Sequence, residues 1–129
     1  MDWARRTAEL SHARRLHVGA VVVKDDTVIS YGYNGMPAGW DNNCEDTLDD
    51  GTLKTKPEVL HAESNAIAKL ARSHNSGVGA DIFVTHAPCL DCAKLIYQSG
   101  ISRVWFGNQY RDNSGIDFLQ QSGIQVNKI

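Results

Sequence analysis

The order of β-branched and helical segments is the feature that most restricts how this chain of 129 residues can fold. The stretch VGAVVVKDDTVISYGYNG predicts two strands joined as a hairpin around Asp25 and Asp26. Further strands are predicted in DIFVTH, ISRVWFG and IQVNKI, and helices alternate with them. A hairpin followed by this alternation favours a mixed sheet packed between helices. We therefore expect one α/β domain over residues 1–129, with the order α-β-β-α-β-α-β-α-β.

Four helices are predicted. The first covers residues 2–16, the second begins at His61, the third opens at Pro88 and ends at Gly100, and the fourth is GIDFLQQ. The apolar positions expected to face the core from the first helix are Trp3, Ala4, Ala8 and Leu10. Residues 35–60 are turn-rich and acidic, and we expect them to form a long loop of the kind that is often functional.

The composition disfavours several classes of protein. The formal net charge of −2 gives no basic surface for nucleic acid. No apolar run reaches the roughly 18 residues that span a bilayer, and the N-terminus lacks the apolar core of a signal peptide. Three cysteines are too few for a disulfide scaffold. These features predict a cytoplasmic protein that binds neither nucleic acid nor a membrane.

Two of the three cysteines stand three residues apart in the segment PCLDC. This spacing alone fits either a redox pair or half of a zinc site. Because Cys89 and Cys92 follow a proline at a predicted helix start, the positive end of the helix dipole favours their thiolate forms.

The segment HAE places His61 and Glu63 at the start of another predicted helix. In a first turn, both side chains can project past the open end of the helix. One imidazole with two thiolates gives three ligands and an open fourth position, which is typical of catalytic zinc. Zinc of this kind activates water, and Glu63 would serve as the general acid–base. The alternatives are a helix-capping His61 and a Glu63 that only complements the helix dipole.

The combination H-x-E…P-C-x-x-C is the signature of zinc-dependent deaminases. Together with GYNGMPAG at 32–39, VGAVVV and SGISRVWFGNQY, it resembles the deoxycytidylate deaminase family over nearly the whole chain. The resemblance implies the three-layer α/β/α cytidine-deaminase fold with a central mixed five-stranded sheet. It also implies hydrolytic deamination of dCMP to dUMP for thymidylate synthesis, on one catalytic Zn2+ per subunit. Family members are commonly homohexamers, activated by dCTP and inhibited by dTTP, with Mg2+ accompanying the triphosphate.

The same resemblance assigns roles to individual positions. His61, Cys89 and Cys92 match the zinc ligands, and Glu63 matches the proton shuttle. The matching substrate-binding positions are Asn34 at the sugar, Ala62, Tyr110 beside the nucleotide, and Arg111 at the 5′-phosphate. The positions assigned to effector binding or subunit contact are Lys24, Gly32, Tyr33, Gly35 and Arg72. The alternatives are a turn-forming Asn34, a packing role for Tyr110, and solvated arginines at 72 and 111.

Three other residues bear on the site. His86, next to the cysteine motif, either contacts substrate or has a structural role. Cys44 is expected to be a plain loop cysteine. A second, structural zinc, which some relatives carry, is not expected, since Cys44 is the only cysteine outside the motif and Val59 stands two residues before His61.

Other functions share part of this pattern. A tRNA adenosine deaminase has the same zinc motif, but a tRNA-binding protein should show a basic face. A free-cytidine deaminase would differ in not requiring a phosphate. A non-catalytic nucleotide sensor on the same scaffold could dispense with Glu63, which is present here.

Overall fold

A computed structural model describes residues 1–110 and 112–129 of the chain. Its helices and strands, in chain order, are α1 (Asp2–Ala8), β1 (Gly19–Lys24), β2 (Thr27–Tyr33), β3 (Glu45–Thr47), β4 (Leu53–Thr55), α2 (Ala62–Ala71), β5 (Asp81–His86), α3 (Leu90–Gln98), β6 (Arg103–Asn108), α4 (Ser114–Gln121) and β7 (Gln125–Lys128). None of the described helices combines the length and apolar character needed to cross a bilayer.

Five strands form the central sheet in the order β2-β1-β5-β6-β7. β1 runs antiparallel to β2 and to β5, whereas β5, β6 and β7 are parallel, so the sheet is mixed as predicted. The predicted hairpin turn is confirmed at Asp25 and Asp26, whose φ angles of 51° and 61° are those of a type I′ turn. Parallel strands place their carboxyl ends at one edge, which is where the loops entering α3 and α4 begin.

The helices form the two outer layers of the predicted three-layer fold. On one face, α2, α3 and α4 cover a core that includes Val22, Ile82 and Val104. On the other face lies α1, and a Cβ atom at Gly19 would stand 2.1 Å from the Ala4 carbonyl oxygen. This close approach requires glycine at the start of β1.

The first helix is shorter than predicted. It ends at Ala8 instead of residue 16, and the expected core positions Trp3 and Leu10 are 66% and 53% exposed. The helix cannot continue through Arg14, because the backbone N–H of Arg14 donates to the Glu45 carboxylate and not to a carbonyl one turn earlier.

The predicted loop at 35–60 contains a small antiparallel hairpin made by β3 and β4, with Glu45 opposite Thr55. The third predicted helix also begins later than expected. Cys89 is its N-cap and Leu90 its first residue, so Pro88 lies just before the helix. Gly100 follows the end of α3 with a φ angle of +84°, as predicted for a helix-ending glycine.

Candidate active site

The starts of α2 and α3 meet beside the carboxyl end of β5. His61 is the N-cap of α2 and Cys89 is the N-cap of α3, both with extended backbone. Neither side chain hydrogen-bonds its own helix end, so both project beyond it. A pair of backbone hydrogen bonds between Gly35 and Leu60, of 3.1 and 2.8 Å, fixes the residue that precedes His61.

The three predicted metal ligands come together. His61 Nδ1 lies 3.5 Å from Cys89 Sγ and 3.3 Å from Cys92 Sγ, and the three donor atoms lie within 4.8 Å of one another. Around a tetrahedral zinc, bonds of about 2.3 Å to sulfur and 2.0–2.1 Å to nitrogen separate such atoms by about 3.6 Å. The donor set and its spacing therefore fit zinc.

The two thiols differ in proton affinity. Hydrogen bonds from the Cys92 thiol and from His61 lower the pKa of Cys89 to about 4. The hydrogen bond to Cys89, followed by burial, raises the pKa of Cys92 above its ordinary value. The contact with Cys89 also raises the pKa of His61. A coordinated thiol is deprotonated outright, so a dication held by these residues would leave both sulfurs as thiolates.

Glu63 lies in the first turn of α2 and is only 4% exposed. Burial raises the pKa of its carboxyl group to about 7, well above the usual value for glutamate. A carboxyl group with this pKa can both accept and release a proton near neutral pH, which suits a general acid–base.

A cavity of about 380 Å³ lies beside these residues. Its size lies within the roughly 300–1,000 Å³ that is usual for small-molecule sites. His61, Glu63 and Cys89 line one side of it. The other side is formed by the segment before β1 and by the β3–β4 hairpin, which contribute Arg15 and Thr55.

The predicted substrate-binding residues that the structure describes all line this cavity: Asn34, Ala62 and Tyr110. The amide of Asn34 also has a structural role. Its Oδ1 accepts the Val18 N–H at 2.9 Å, and its Nδ2 donates to the Leu16 carbonyl at 2.8 Å. The prediction for Arg111 falls outside the described residues.

The five positions predicted for effectors or subunit contact lie elsewhere. Lys24 borders a separate surface depression together with His74, and Arg72 follows the end of α2. Gly32 packs against α2, where a Cβ atom would stand 2.3 Å from the Ala62 carbonyl oxygen. Tyr33 is the last residue of β2 and Gly35 pairs with Leu60, and neither residue lines the cavity.

Sequence reasoning assigned no role to several residues that line the cavity. Glu45 and Thr55 belong to the short hairpin, and Arg15 lies beside them. Cys44, expected to be a plain loop cysteine, is buried against the cavity. His86, for which the sequence left a substrate contact or a structural role open, also lines the cavity. Its Nδ1 lies 2.9 Å from Thr85 Oγ1, and burial lowers the pKa of its ring. The sequence carried no signal for the hairpin residues, since an acidic loop is normally solvated.

Comparisons with known proteins agree with this site. The family model for the cytidine and deoxycytidylate deaminase zinc-binding region matches residues 1–108. The chain therefore belongs to this family, and its predicted classification as a zinc-binding deaminase is confirmed.

Individual relatives include both sequences and structures. ComE operon protein 2 of Bacillus subtilis is 37% identical over 120 residues, which cover 89% of this chain and 61% of that protein. Deoxycytidylate deaminase of Enterobacteria phage T4 is 34% identical, over 84% of this chain and 77% of that protein. The crystal structure of dCMP deaminase from cyanophage S-TIM5, in complex with dCMP and dUMP, is similar with a TM-score of 0.92 and 45% identity. That match covers 99% of this chain and 92% of the cyanophage chain.

Proposed function

We propose that the chain acts as a single catalytic domain over residues 1–129 that hydrolyses dCMP to dUMP and ammonia. The observation that carries this proposal is the cluster of His61, Cys89 and Cys92 beside a cavity that His61, Cys89 and the buried Glu63 line. The choice of dCMP is supported by the similarity to the cyanophage deaminase, which was crystallised with dCMP and dUMP.

In this proposal His61, Cys89 and Cys92 would hold a zinc ion, which would supply the activation of a water molecule at neutral pH. The chain contributes the positions of these side chains, because α2 packs on β1 and β2, and α3 packs on α2 and places Ala93 and Ile96 in the core.

Glu63 moves the protons of the reaction. Its carboxylate accepts a proton from the nucleophilic water and delivers it to N3 of the cytosine ring. Once the water oxygen has bonded to C4, the proton of the new C4 hydroxyl group passes through the same carboxyl group to the C4 amine. The C4–N bond then breaks, ammonia leaves, and a carbonyl remains at C4. Burial keeps the pKa of Glu63 about 7, so neither transfer requires a large free-energy change at neutral pH.

The remaining positions would hold the nucleotide. Ala62 lies between His61 and Glu63 and is fully buried, so its small side chain leaves room for the base. Tyr110 offers an aromatic ring at the cavity. Asn34 has both amide atoms engaged with the backbone of residues 16 and 18, so its contribution is to shape the sugar pocket.

Four further features are proposed from the family resemblance. They are activation by dCTP and inhibition by dTTP, a Mg2+ ion bound with the triphosphate, assembly as a homohexamer, and a cytoplasmic location. Lys24, Gly32, Tyr33, Gly35 and Arg72 are the positions assigned to the effector site or the subunit contact. The location of Gly32 under α2 suggests that its part is to bring β2 close to the active-site helix.

The experiment that tests the proposal is turnover of the zinc-loaded protein, followed by ultraviolet absorbance. The substrates are dCMP, CMP, deoxycytidine and a tRNA anticodon stem-loop, each with and without dCTP or dTTP. We expect turnover of dCMP in preference to the others. Turnover of deoxycytidine or of RNA in its place would contradict the assignment of dCMP and retain the zinc chemistry. A zinc-loaded protein that turns over none of them would contradict the proposal and favour the alternative of a non-catalytic nucleotide sensor.

A further inference from the structure

The peptide between Pro88 and Cys89 leads directly into the predicted zinc ligand at the start of α3. Proline supplies no backbone N–H at this turn. The Cys89 carbonyl accepts the Ala93 N–H at 2.9 Å, but this bond lies within the first turn of α3 and does not relate the peptide to another part of the fold. The position of the Cys89 main chain relative to His61 on α2 therefore depends on what packs against this peptide.

Gly115, the second residue of α4, lies against the same peptide. A Cβ atom at this position would stand 2.1 Å from the Pro88 carbonyl oxygen, and 2.8 Å from both the carbonyl carbon and the carbonyl oxygen of Cys89. The first of these distances is about 1 Å shorter than a Cβ atom normally reaches. All three atoms belong to the main chain, so no side-chain rotation can relieve the contact. Only glycine lets α4 approach the cysteine peptide this closely.

Neither helix propensity nor backbone conformation explains a glycine at this position. In a helix, alanine is favoured over glycine because it loses less conformational freedom on folding. Gly123, which follows the same helix, has a φ angle of +83° that favours glycine, whereas the φ angle of Gly115 is not positive. The close approach to the Pro88–Cys89 peptide is therefore the feature that requires glycine here.

The start of α4 is itself held in place. The backbone N–H of Ser114 donates to Asp112 Oδ1 at 2.9 Å, immediately before Gly115. Ile116 and Leu119 lie in the hydrophobic core, and α4 packs on α3 and β7. A side chain added at position 115 would therefore displace the cysteine peptide as well as the helix.

We propose that Gly115 is a positioning residue for the metal site, since its lack of a side chain lets α4 hold the Pro88–Cys89 peptide where the Cys89 sulfur reaches the metal. This sulfur lies 3.5 Å from His61 Nδ1. Zinc–sulfur bonds are about 2.3 Å long and vary by only about 0.2 Å, so a shift that approaches 1 Å is large for a ligand. The inference rests on the proposed function, because it specifies how the chain places one of the zinc ligands.

The test compares zinc binding by wild type and Gly115→Ala, measured by competition with a chromophoric chelator. Loss of a contact that supports a metal ligand typically costs about 10- to 100-fold in metal affinity, so the dissociation constant for zinc should rise by this factor. Leu119→Ala is the matched control. Leu119 is fully buried in the same helix, so its truncation should lower the thermal midpoint and leave zinc affinity within about twofold. An unchanged affinity in Gly115→Ala, or an equal loss in Leu119→Ala, would overturn the proposal.

Replacement of zinc by Co2+ gives a second readout, which reports on the ligands and not on overall stability. Thiolate ligands give Co2+ a strong charge-transfer absorption, whose intensity depends on the sulfur–metal contact. At saturating Co2+, Gly115→Ala should show a weaker absorption than wild type, and Leu119→Ala should match wild type. A wild-type cobalt spectrum in Gly115→Ala would show that Cys89 keeps its place, and would contradict the positioning role.

If Gly115→Ala is too unstable for these measurements, thermal unfolding at increasing zinc concentrations gives its zinc affinity, because a metal that binds the folded state raises the midpoint. The rise should begin at a higher zinc concentration than in wild type, and the same onset in both proteins would contradict the inference. Wild type that binds zinc without deaminating dCMP would contradict the proposed function, while the comparison of zinc affinities would still decide the role of Gly115. Wild type that binds no zinc would contradict both.

Discussion

The active-site cavity has two walls that are built in different ways. The helix wall consists of the starts of α2 and α3, with His61, Glu63 and the cysteine pair. α2 packs on the central sheet, and α3 packs on α2 and α4 with its apolar side in the core. The outer wall consists of residues 13–18 and the β3–β4 hairpin, and Glu45 fastens these two parts together through polar contacts. The comparison teaches that the candidate metal-binding and acid–base groups lie on packed helices, whereas the opposite wall is held together by hydrogen bonds.

The largest effect is expected from removing a ligand in the helix wall. Cys92→Ser replaces a thiolate donor by a hydroxyl group that does not ionise, so zinc content and turnover should both be lost. Loss of an outer contact alone typically costs about 10- to 100-fold in metal affinity, and loss of a ligand costs more. Metal analysis and the dCMP assay measure the two effects.

The third cysteine supplies the control for that experiment. Cys44 is buried in the outer wall but is not one of the three clustered donors. Cys44→Ser should therefore retain its zinc. A Cys92→Ser protein that keeps stoichiometric zinc would remove this residue from the ligand set.

Next in size is the effect of Glu63→Gln. The amide cannot transfer protons, so kcat should fall by about 10²- to 10⁴-fold, while zinc remains bound because Glu63 is not a ligand. Zinc content and single-turnover rates give the two readouts. Glu58→Gln, an exposed carboxylate shortly before the same helix, is the matched control and should be fully active. Near-normal turnover by Glu63→Gln would exclude this carboxyl group from the mechanism.

A smaller effect is expected from a substitution at the contact between α2 and β2. In Gly32→Ala the new Cβ atom would lie 2.3 Å from the Ala62 carbonyl oxygen and 2.6 Å from the Ala66 nitrogen, so α2 must move. Overpacking of this kind costs about 1–3 kcal/mol of unfolding free energy. Because α2 carries His61 and Glu63, kcat should fall together with the thermal midpoint. For the stability measurement, Gly35→Ala is the control, since a Cβ atom there meets nothing within 4 Å.

The smallest effect on chemistry is expected in the outer wall. Glu45→Gln weakens the charged hydrogen bonds to Arg14 and Arg15, which should cost about 1–3 kcal/mol of unfolding free energy. Turnover of deoxycytidine should change little, since the helix wall is intact. Asp46→Asn, an exposed neighbour, should leave stability unchanged. A Glu45→Gln protein as inactive on deoxycytidine as Glu63→Gln would remove the distinction between the two walls.

Lowering the pH should reduce the stability that Glu45 contributes to the outer wall. Although burial alone would raise the pKa of Glu45, hydrogen bonds from the backbone of Arg15 and Arg14 hold it below its ordinary value of 4.5. The resulting stabilisation is therefore complete above the unfolded pKa and is lost as pH falls through the folded value. The difference in unfolding free energy between wild type and Glu45→Gln should shrink on acidification below that pH. Chemical denaturation at several pH values measures it.

The two walls also differ in how well the sequence predicted them. The helix wall was predictable because its predicted ligands follow local rules. His61 and Cys89 each precede a helix, and Cys89 also follows β5, which is rich in β-branched residues. The outer wall was missed because β3 and β4 have three residues each and carry mostly polar side chains, so they show no apolar alternation. The predicted end of α1 at residue 16 was wrong because of a contact that is distant in sequence. Glu45, 31 residues after Arg14, accepts the Arg14 N–H that a longer helix would use.

The pairing of Glu45 with Thr55 restricts the sequence changes that the β3–β4 turn can accept. Residues 48–52 connect β3 to β4. Two of them shape the turn: Gly51 has a φ angle of +85°, and Asp50 Oδ1 accepts the Thr52 N–H at 2.9 Å. An insertion or deletion of one residue is a different matter, because a register slip of one moves every side chain of a strand to its opposite face. The Thr55 hydroxyl would then no longer accept the hydrogen bond from the Arg15 guanidinium, while Glu45 would still accept the Arg15 backbone N–H. We therefore expect this turn to tolerate changes in composition far better than changes in length.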